Sequence, residues 1–254
     1  MTEPDLNNPD VRQAILAARL AQGNQLIATA LSKEFGISLD TVRRDLIAME
    51  DEGLLKRVRG GAVPVSRPSQ PLHIRMHQVN PNNSVIARAV FSHISDGMVL
   101  LLDGGTSVLE LGRLLPAGFS GVVVTPAPAI ATGALERDID TILIGGRLSR
   151  LGGIAVGAET ERSISECAAD LCVLGACGIE PSFGLSADDI DEAGVKRQMA
   201  WASARTIVMA GSEKLDQRSR YRVMPCSAVD LLVTDADKAS TAAFQEADME
   251  VEHV

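Results

Sequence analysis

Two stretches of this 254-residue chain carry side chains suited to gripping anions. The first holds Ser38, Thr41, Arg43 and Arg44, with Lys56, Arg57 and Arg59 soon after. An arginine can take O6 and N7 of a guanine with two hydrogen bonds, or it can hold a phosphate. The pattern does not say which arginine does which. Lys56, Arg57 and Arg59 suit phosphates, contacts that position a protein on DNA without reading its sequence. The second stretch is Asp103-Gly104-Gly105-Thr106-Ser107. Its glycines let backbone N–H groups approach an anion, and the two hydroxyls add donors. A phosphate or carboxylate is the natural guest, although Gly-Gly-Thr also serves as a plain strand-to-helix turn. The spacing is neither a Walker loop nor a dinucleotide fingerprint.

Further glycines close apolar runs at Gly145-Gly146, at Gly175 and Gly178, and at Gly211. Lys196 and Lys214 follow the last two and can balance anionic charge. Glu192 lies one helical turn before Lys196, so these two also read as an ordinary surface pair. Lys214 also reads as an ordinary loop lysine. His73 and His77 supply half a zinc site at most and read as a surface pair. No catalytic residue, metal or cofactor is assigned.

Short helices must position the first stretch. Val11, Ala14, Ile15 and Ala18 repeat at helical spacing, and Gly23-Asn24 breaks the run. Ile27, Ala30, Leu31 and Phe35 make a second stripe that Gly36 ends. Ser38 offers an N-cap oxygen to a third helix with Leu39, Val42, Leu46 and Met49 on one face, ended by Gly53. Two short helices joined by a tight turn are a helix-turn-helix, and the N-terminal residues of the second reach base edges in the major groove. The run LLKRVRGGAV then reads as a hairpin, a wing, turning near Gly60-Gly61. A three-helix bundle with a solvated charged face fits the same apolar pattern.

Pro64, Pro68, Pro71 and Pro81 disfavour a continuous helix. Residues 66–82 therefore read as a semi-rigid linker, with a helical piece around Ile74 to Val79. From Ser84 the runs MVLLLD, VVVT, TILIGG, DLCVLGACG, TIVMAG and DLLVTD alternate with helical segments. That alternation predicts an α/β fold with a mostly parallel sheet, and ligands bind beyond the carboxyl ends of such strands. The expected organisation is a winged helix-turn-helix over 1–65, a linker over 66–82, and an α/β domain for effector binding and oligomerisation over 83–254.

Apolar residues make up 46% of the chain and aromatics only 3%, so Leu, Ile, Val and Ala must fill the core. No run of apolar residues is long enough for a membrane span. The acidic N-terminus does not resemble a secretory signal, and a cytoplasmic protein with four free thiols is expected. The net charge is −9. Residues 1–67 carry nine basic and nine acidic side chains, and residues 68–254 carry the remaining 15 and 24. A neutral reading head on an acidic body releases few counterions, so tight DNA binding calls for a second copy of the chain.

The ordered block SLDTVRRDLIAMEDEGLLKRVRGGA closely resembles the DNA-binding signature of the DeoR family of bacterial transcriptional regulators. The residues that carry the resemblance are Ser38, Thr41, Val42, Arg43, Arg44, Asp45, Leu46, Gly53, Leu54, Arg57, Gly60, Gly61 and Ala62. The second half is similar to that family's effector domain, through DGGTS, VVVT, IGGRL, LGACGIEPSFGLS, EAGVKRQM, AGSEKL and VTD. The resemblance implies a domain similar in fold to ribose-5-phosphate isomerase. It implies a homo-oligomer, dimer or tetramer, on a double-stranded DNA operator, repressing carbohydrate-metabolism genes until a phosphorylated sugar or sugar derivative binds. Asp103, Gly104, Gly105, Thr106, Ser107, Gly145, Gly146, Lys196 and Lys214 are the expected effector-binding set. The chain departs from the family pattern at Asn83, Pro126, Cys177 and Gly211, which puts the particular sugar in question. Two other readings follow from the same residues. One is a constitutive DNA-binding regulator whose second domain only oligomerises. The other is a sugar-phosphate isomerase, disfavoured because Gly175-Ala176-Cys177-Gly178-Ile179 lacks the carboxylates that such enzymes carry on a similar strand end.

Overall fold

A computed structural model describes residues 6–21, 25–52, 54–64, 70–78 and 80–254, without the side chains of 21, 56, 63 and 64. The breaks expected at Gly23-Asn24 and Gly53, and the 65/66 boundary, lie outside the described residues. The chain forms two compact units, Met1–Arg67 and Pro68–Val254.

In the first unit, helix α1 (Pro9–Ala21) is followed by the short strand β1 (Leu26–Ile27) and helices α2 (Ala28–Phe35) and α3 (Leu39–Asp51). Strands β2 (Leu55–Val58) and β3 (Gly61–Pro64) form an antiparallel hairpin, and β1 pairs with β3. That third strand was not expected, and it explains Gly61. A Cβ there would overlap the Leu26 carbonyl oxygen, so only glycine lets the strands meet. Gly36 takes the left-handed conformation (φ 64°) between α2 and α3.

The core of this unit is Leu16, Leu20, Leu26, Leu31, Phe35, Val42, Leu46, Met49 and Leu55. The stripe expected on α1 is thus shifted. Ala14 and Ala18 are exposed, and the buried row is Arg12, Leu16 and Leu20 at i, i+4, i+8 spacing. Ile27 and Ala30 are likewise exposed. Arg12 is buried because it has a partner. Its Nε and Nη2 donate to the Asp45 carboxylate at 2.7 and 2.9 Å, and Nη1 donates to the Leu6 and Asn7 carbonyls. This bidentate pair ties α1 to α3.

The second unit opens with α4 (Leu72–Arg75) and α5 (Pro81–Phe91), in which Asn80 caps and Pro81 starts the helix. Then follow β4 (Val99–Leu102), α6 (Thr106–Leu114), β5 (Val122–Thr125), α7 (Pro128–Leu135), β6 (Asp140–Leu143), β7 (Arg147–Leu148), β8 (Ala155–Val156) and α8 (Ala158–Ser165). The chain continues through β9 (Leu171–Gly175), β10 (Gly178–Glu180), β11 (Gly184–Ala187), α9 (Ile190–Trp201) and β12 (Thr206–Met209). It ends with β13 (Tyr221–Met224), β14 (Leu231–Thr234), α10 (Lys238–Gln245) and β15 (Val251–His253).

Seven strands form one parallel sheet in the order β15-β14-β12-β9-β4-β5-β6. β9, β12 and β14 are buried almost throughout, which is why they read as unbroken apolar runs and not as alternating ones. Two smaller antiparallel sheets, β10-β11-β13 and β7-β8, were not expected. From β4 the chain builds outward through β5 and β6, then returns to lay β9 on the other side of β4. The carboxyl ends of β4 and β9 therefore flank the topological switch point, where open α/β sheets bind their ligands.

Arg12→Met leaves the Asp45 carboxylate buried without its cation and is expected to cost about 3–5 kcal/mol. Hydrogen exchange on the full chain should show α1 and α3 opening earlier, with the parallel sheet unchanged. Arg12→Met combined with Asp45→Leu should recover most of the loss. An Arg12→Met protein with unaltered exchange in α1 would show that the pair does not hold the unit together.

Candidate DNA interface and ligand cavity

Ser38 caps α3. Its Oγ accepts the Thr41 N–H at 3.1 Å and shares a hydrogen bond of 2.9 Å with Thr41 Oγ1. Both residues expected to touch DNA thus first build the helix start. Val42, Asp45, Leu46 and Met49 are buried, which turns Arg43 and Arg44 outward. Arg44 meets Asp40 at 3.4 Å with about three-quarters of each side chain exposed. Such an i,i+4 pair contributes only about 0.3–0.5 kcal/mol, so it yields readily to a better anion. Arg59 stands exposed in the hairpin turn. Arg57 differs from expectation: its backbone N–H and its Nε both donate to Glu50, at 2.8 and 2.6 Å. It pins the wing to α3 and is not a free cation. The Lys56 side chain lies outside the described residues.

In the second unit, the switch point holds a cavity of about 170 Å³. Asp103, the residue after β4, sits at its wall with no exposed surface. Its Oδ2 accepts the Gly175 N–H at 2.9 Å and forms an ion pair with Lys196 Nζ, which also donates to the Gly175 carbonyl at 3.0 Å. Burial alone would lower the pKa of Lys196. The charges of Asp103, Cys177 and Glu192 and the hydrogen bond to Asp103 outweigh that and hold it above 10.5. Asp103 Oδ1 is buried and has no hydrogen-bond partner among the described residues.

Glu192 and Lys196 are not a surface pair. Asp189 caps α9 by accepting the N–H groups of Asp191 and Glu192, which turns Glu192, Ala193, Val195, Lys196 and Met199 inward. Lys196 reaches across to Asp103, while Glu192 accepts from the Ser149 hydroxyl and from the Gly152 N–H at 2.6 Å.

Gly105 has φ 97° and caps α6, so the first N–H groups of that helix open toward the cavity beside Thr106 and Ser107. Asn83, on α5, braces both hydroxyl residues. It accepts from Ser107 Oγ at 2.9 Å and donates to Thr106 Oγ1 at 3.4 Å. Gly104 is required by contact, because a Cβ there would strike Ile154 and the Gly152 carbonyl. Ser149 to Ile154 thus form a strap over the turn.

The expected residues Asp103, Gly104, Gly105, Thr106, Ser107, Lys196 and Lys214 all line the cavity. Gly145 and Gly146 do not. They end β6, the sheet edge two strands from the switch point, and Thr160 of α8 donates to the Gly145 carbonyl. Cys177 and Gly211 line the cavity and Pro126 does not. Arg75, Gln78 and the strap residues Leu151, Gly152 and Ile154 were missed. Arg75 and Gln78 fall in the stretch read as linker, where Leu72 and Arg75 instead bond to the strap: Leu72 N–H donates to the Arg150 carbonyl at 3.2 Å and Arg75 Nη2 to the Leu151 carbonyl at 2.7 Å.

A winged helix-turn-helix joined to a parallel α/β unit with a polar cavity at its switch point defines a two-part protein, one part for DNA and one for a small ligand. The description DeoR-like helix-turn-helix domain matches residues 12–67, and DeoR C terminal sensor domain matches residues 81–236. The chain belongs to the DeoR family and is a DNA-binding transcriptional regulator with a C-terminal sensor domain. It is 32% identical over 208 residues to the HTH-type transcriptional regulator GlpR of Haloferax volcanii, covering 81% of this chain and 82% of that one. It is 32% identical to the glycerol-3-phosphate regulon repressor of Escherichia coli over 81% of this chain and 82% of that one. It is 28% identical to the transcriptional repressor GlcR of Bacillus subtilis, over 85% and 84%. Among solved structures, a D-ribose-5-phosphate isomerase in complex with phospho-erythronic acid matches 54% of this chain and 55% of its own, at 19% identity and a TM-score of 0.41. Among the described residues no helix is long and apolar enough to cross a membrane.

Lys196→Met leaves Asp103 buried without its cation and is expected to cost about 3–5 kcal/mol near neutral pH. In the parent protein the contribution of Lys196 is fully present below pH 10.5 and is lost as pH rises through the raised lysine value. Replacing Asp103 by Asn in the Lys196→Met background removes the uncompensated buried charge and is expected to recover most of the loss in thermal denaturation at neutral pH. A double variant no more stable than Lys196→Met counts against Asp103 as the cause.

Proposed function

We propose that this chain is a cytoplasmic repressor that leaves its operator when a phosphorylated sugar or sugar derivative fills the switch-point cavity. One observation carries the ligand class. An anion-receiving helix start at Gly105 to Ser107 stands beside a buried carboxylate oxygen, Asp103 Oδ1, that has no hydrogen-bond partner among the described residues. The first suits a phosphate and the second suits a hydroxyl donor, so a polyhydroxylated phosphate satisfies both. Lys214, which lines the cavity and forms no ion pair among the described residues, adds positive charge. The repressors among the relatives support the direction of control.

Arg43, Arg44 and Arg59 supply the DNA contacts, with Ser38 and Thr41 at the start of α3. The neutral charge of residues 1–67 supports a dimer or tetramer that presents two copies of α3 to two half-sites. The protein senses its ligand without converting it. The strand end Gly175 to Ile179 brings no carboxylate to the cavity; of the acids that line it, Asp103 is engaged by Lys196, Glu192 is engaged by the strap, and Glu213 lies exposed on the turn that carries Lys214.

Sugar phosphates are expected to raise the melting temperature of the purified protein, and the unphosphorylated sugars are not. They should also release it from its own upstream DNA in a gel shift. Thr106→Ala with Ser107→Ala should keep DNA binding and blunt release, while Arg44→Ala should abolish specific binding. Removing the protein from the cell should raise transcription of the linked genes. No melting shift with any phosphorylated sugar would favour a constitutive regulator, and turnover of a pentose or hexose phosphate would make it an enzyme.

A further inference from the structure

Arg75 closes α4 and lines the cavity, on the segment through which the chain enters the second unit. Its Nε donates to the Gln70 carbonyl at 2.9 Å and its Nη2 to the Leu151 carbonyl at 2.7 Å. Both acceptors are neutral, and no carboxylate pairs with Arg75 among the described residues. Its Nη1 has no hydrogen-bond partner among them either, and it lies 4.0 Å from where a Cβ on Gly105 would stand. The open corner of the guanidinium thus faces the residue that starts α6. The same segment is seated in two further places. The Leu72 side chain covers Gly153 of the strap, and Met76 lines a groove with Leu109 and Gly112 of α6 and Ile130 and Gly133 of α7.

We infer that Arg75 is a ligand-contacting residue that also reports occupancy. A phosphate at the start of α6 takes Nη1, and this added bond ties residues 70–78, already held on the strap through Leu151, to the start of α6. The inference rests on the reading of the cavity as an anion site. A guanidinium is a planar fork with five donors, so two bonds to carbonyls fix its plane and aim the third. The added bond is charge-assisted and forms only when the anion is present. It therefore favours the seated segment over any other arrangement, which is what a shift of population requires. The seated residues lead in sequence directly back to the DNA-binding unit, so their order is the signal that unit receives. Lysine cannot replace this arrangement, because a single ammonium cannot span Gln70, Leu151 and an anion together.

The test is hydrogen exchange and titration calorimetry on the full chain with inorganic phosphate. In the parent protein, phosphate is expected to protect amides at 104–109 and at 72–78. Arg75→Ala should weaken phosphate binding about tenfold or more, since one charge-assisted bond is lost. Arg75→Lys should lose less affinity, keep the protection at 104–109 and lose it at 72–78. Protection at 104–109 but not at 72–78 in the parent protein would overturn the coupling and leave the anion site standing. No protection at either place would overturn both. Unchanged affinity and intact protection at 72–78 in Arg75→Ala would also sink the inference.

Discussion

The sensor unit is organised around one buried ion pair, Asp103 with Lys196. Each partner is nearly or fully sealed from water, so the pair is stable only because its geometry is completed by the Gly175 N–H and carbonyl. Those contacts join the ends of β4 and β9 to the inner face of α9. They fix the level at which β4 stops and Gly104 and Gly105 begin, and hence where the free N–H groups of α6 point. The pair is neutral as a whole. Attraction for an anion must therefore come from its neighbours: the start of α6, Arg75 and Lys214.

The DNA-binding unit uses the same device at smaller scale. Arg12 and Asp45 form a buried, bidentate pair that ties α1 to α3. The exposed pair of Arg44 with Asp40 is a much weaker tie, screened by water. The difference suits their tasks. A buried pair fixes the orientation of α3, whereas a weak surface pair can be surrendered to a competing anion. The wing is fixed separately, by Arg57 on Glu50 and by the close approach of Gly61 to Leu26.

The cavity shows how a strap and a linker become part of a site. Glu192 has the charge and position of a surface partner for Lys196, yet it holds Ser149 and Gly152. That hold brings Ile154 over Gly104, and Leu72 in turn packs on Gly153. The residues that cover the cavity thus come from parts of the chain remote from the Asp103 turn. Asn83 works similarly. It stands on α5 and braces Thr106 and Ser107, a role that depends on α5 lying beside α6.

Periodicity and local chemistry were enough to read the helix-turn-helix, the outward arginines, the parallel strands and the Asp103 to Ser107 turn, because each is set by residues within a few positions of one another. The stripe on α1 misled because alanines at helical spacing look like a core face, whereas the buried row includes an arginine that needs Asp45, 33 residues away. Gly145 and Gly146 resembled the other strand ends, but strand order placed them at the sheet edge. Arg75 and Gln78 looked like linker for the converse reason. The sequence determined which groups could hold DNA or an anion. Only the tertiary structure decided which of them meet, because strand order and the reach of buried side chains are set by contacts between distant parts of the chain.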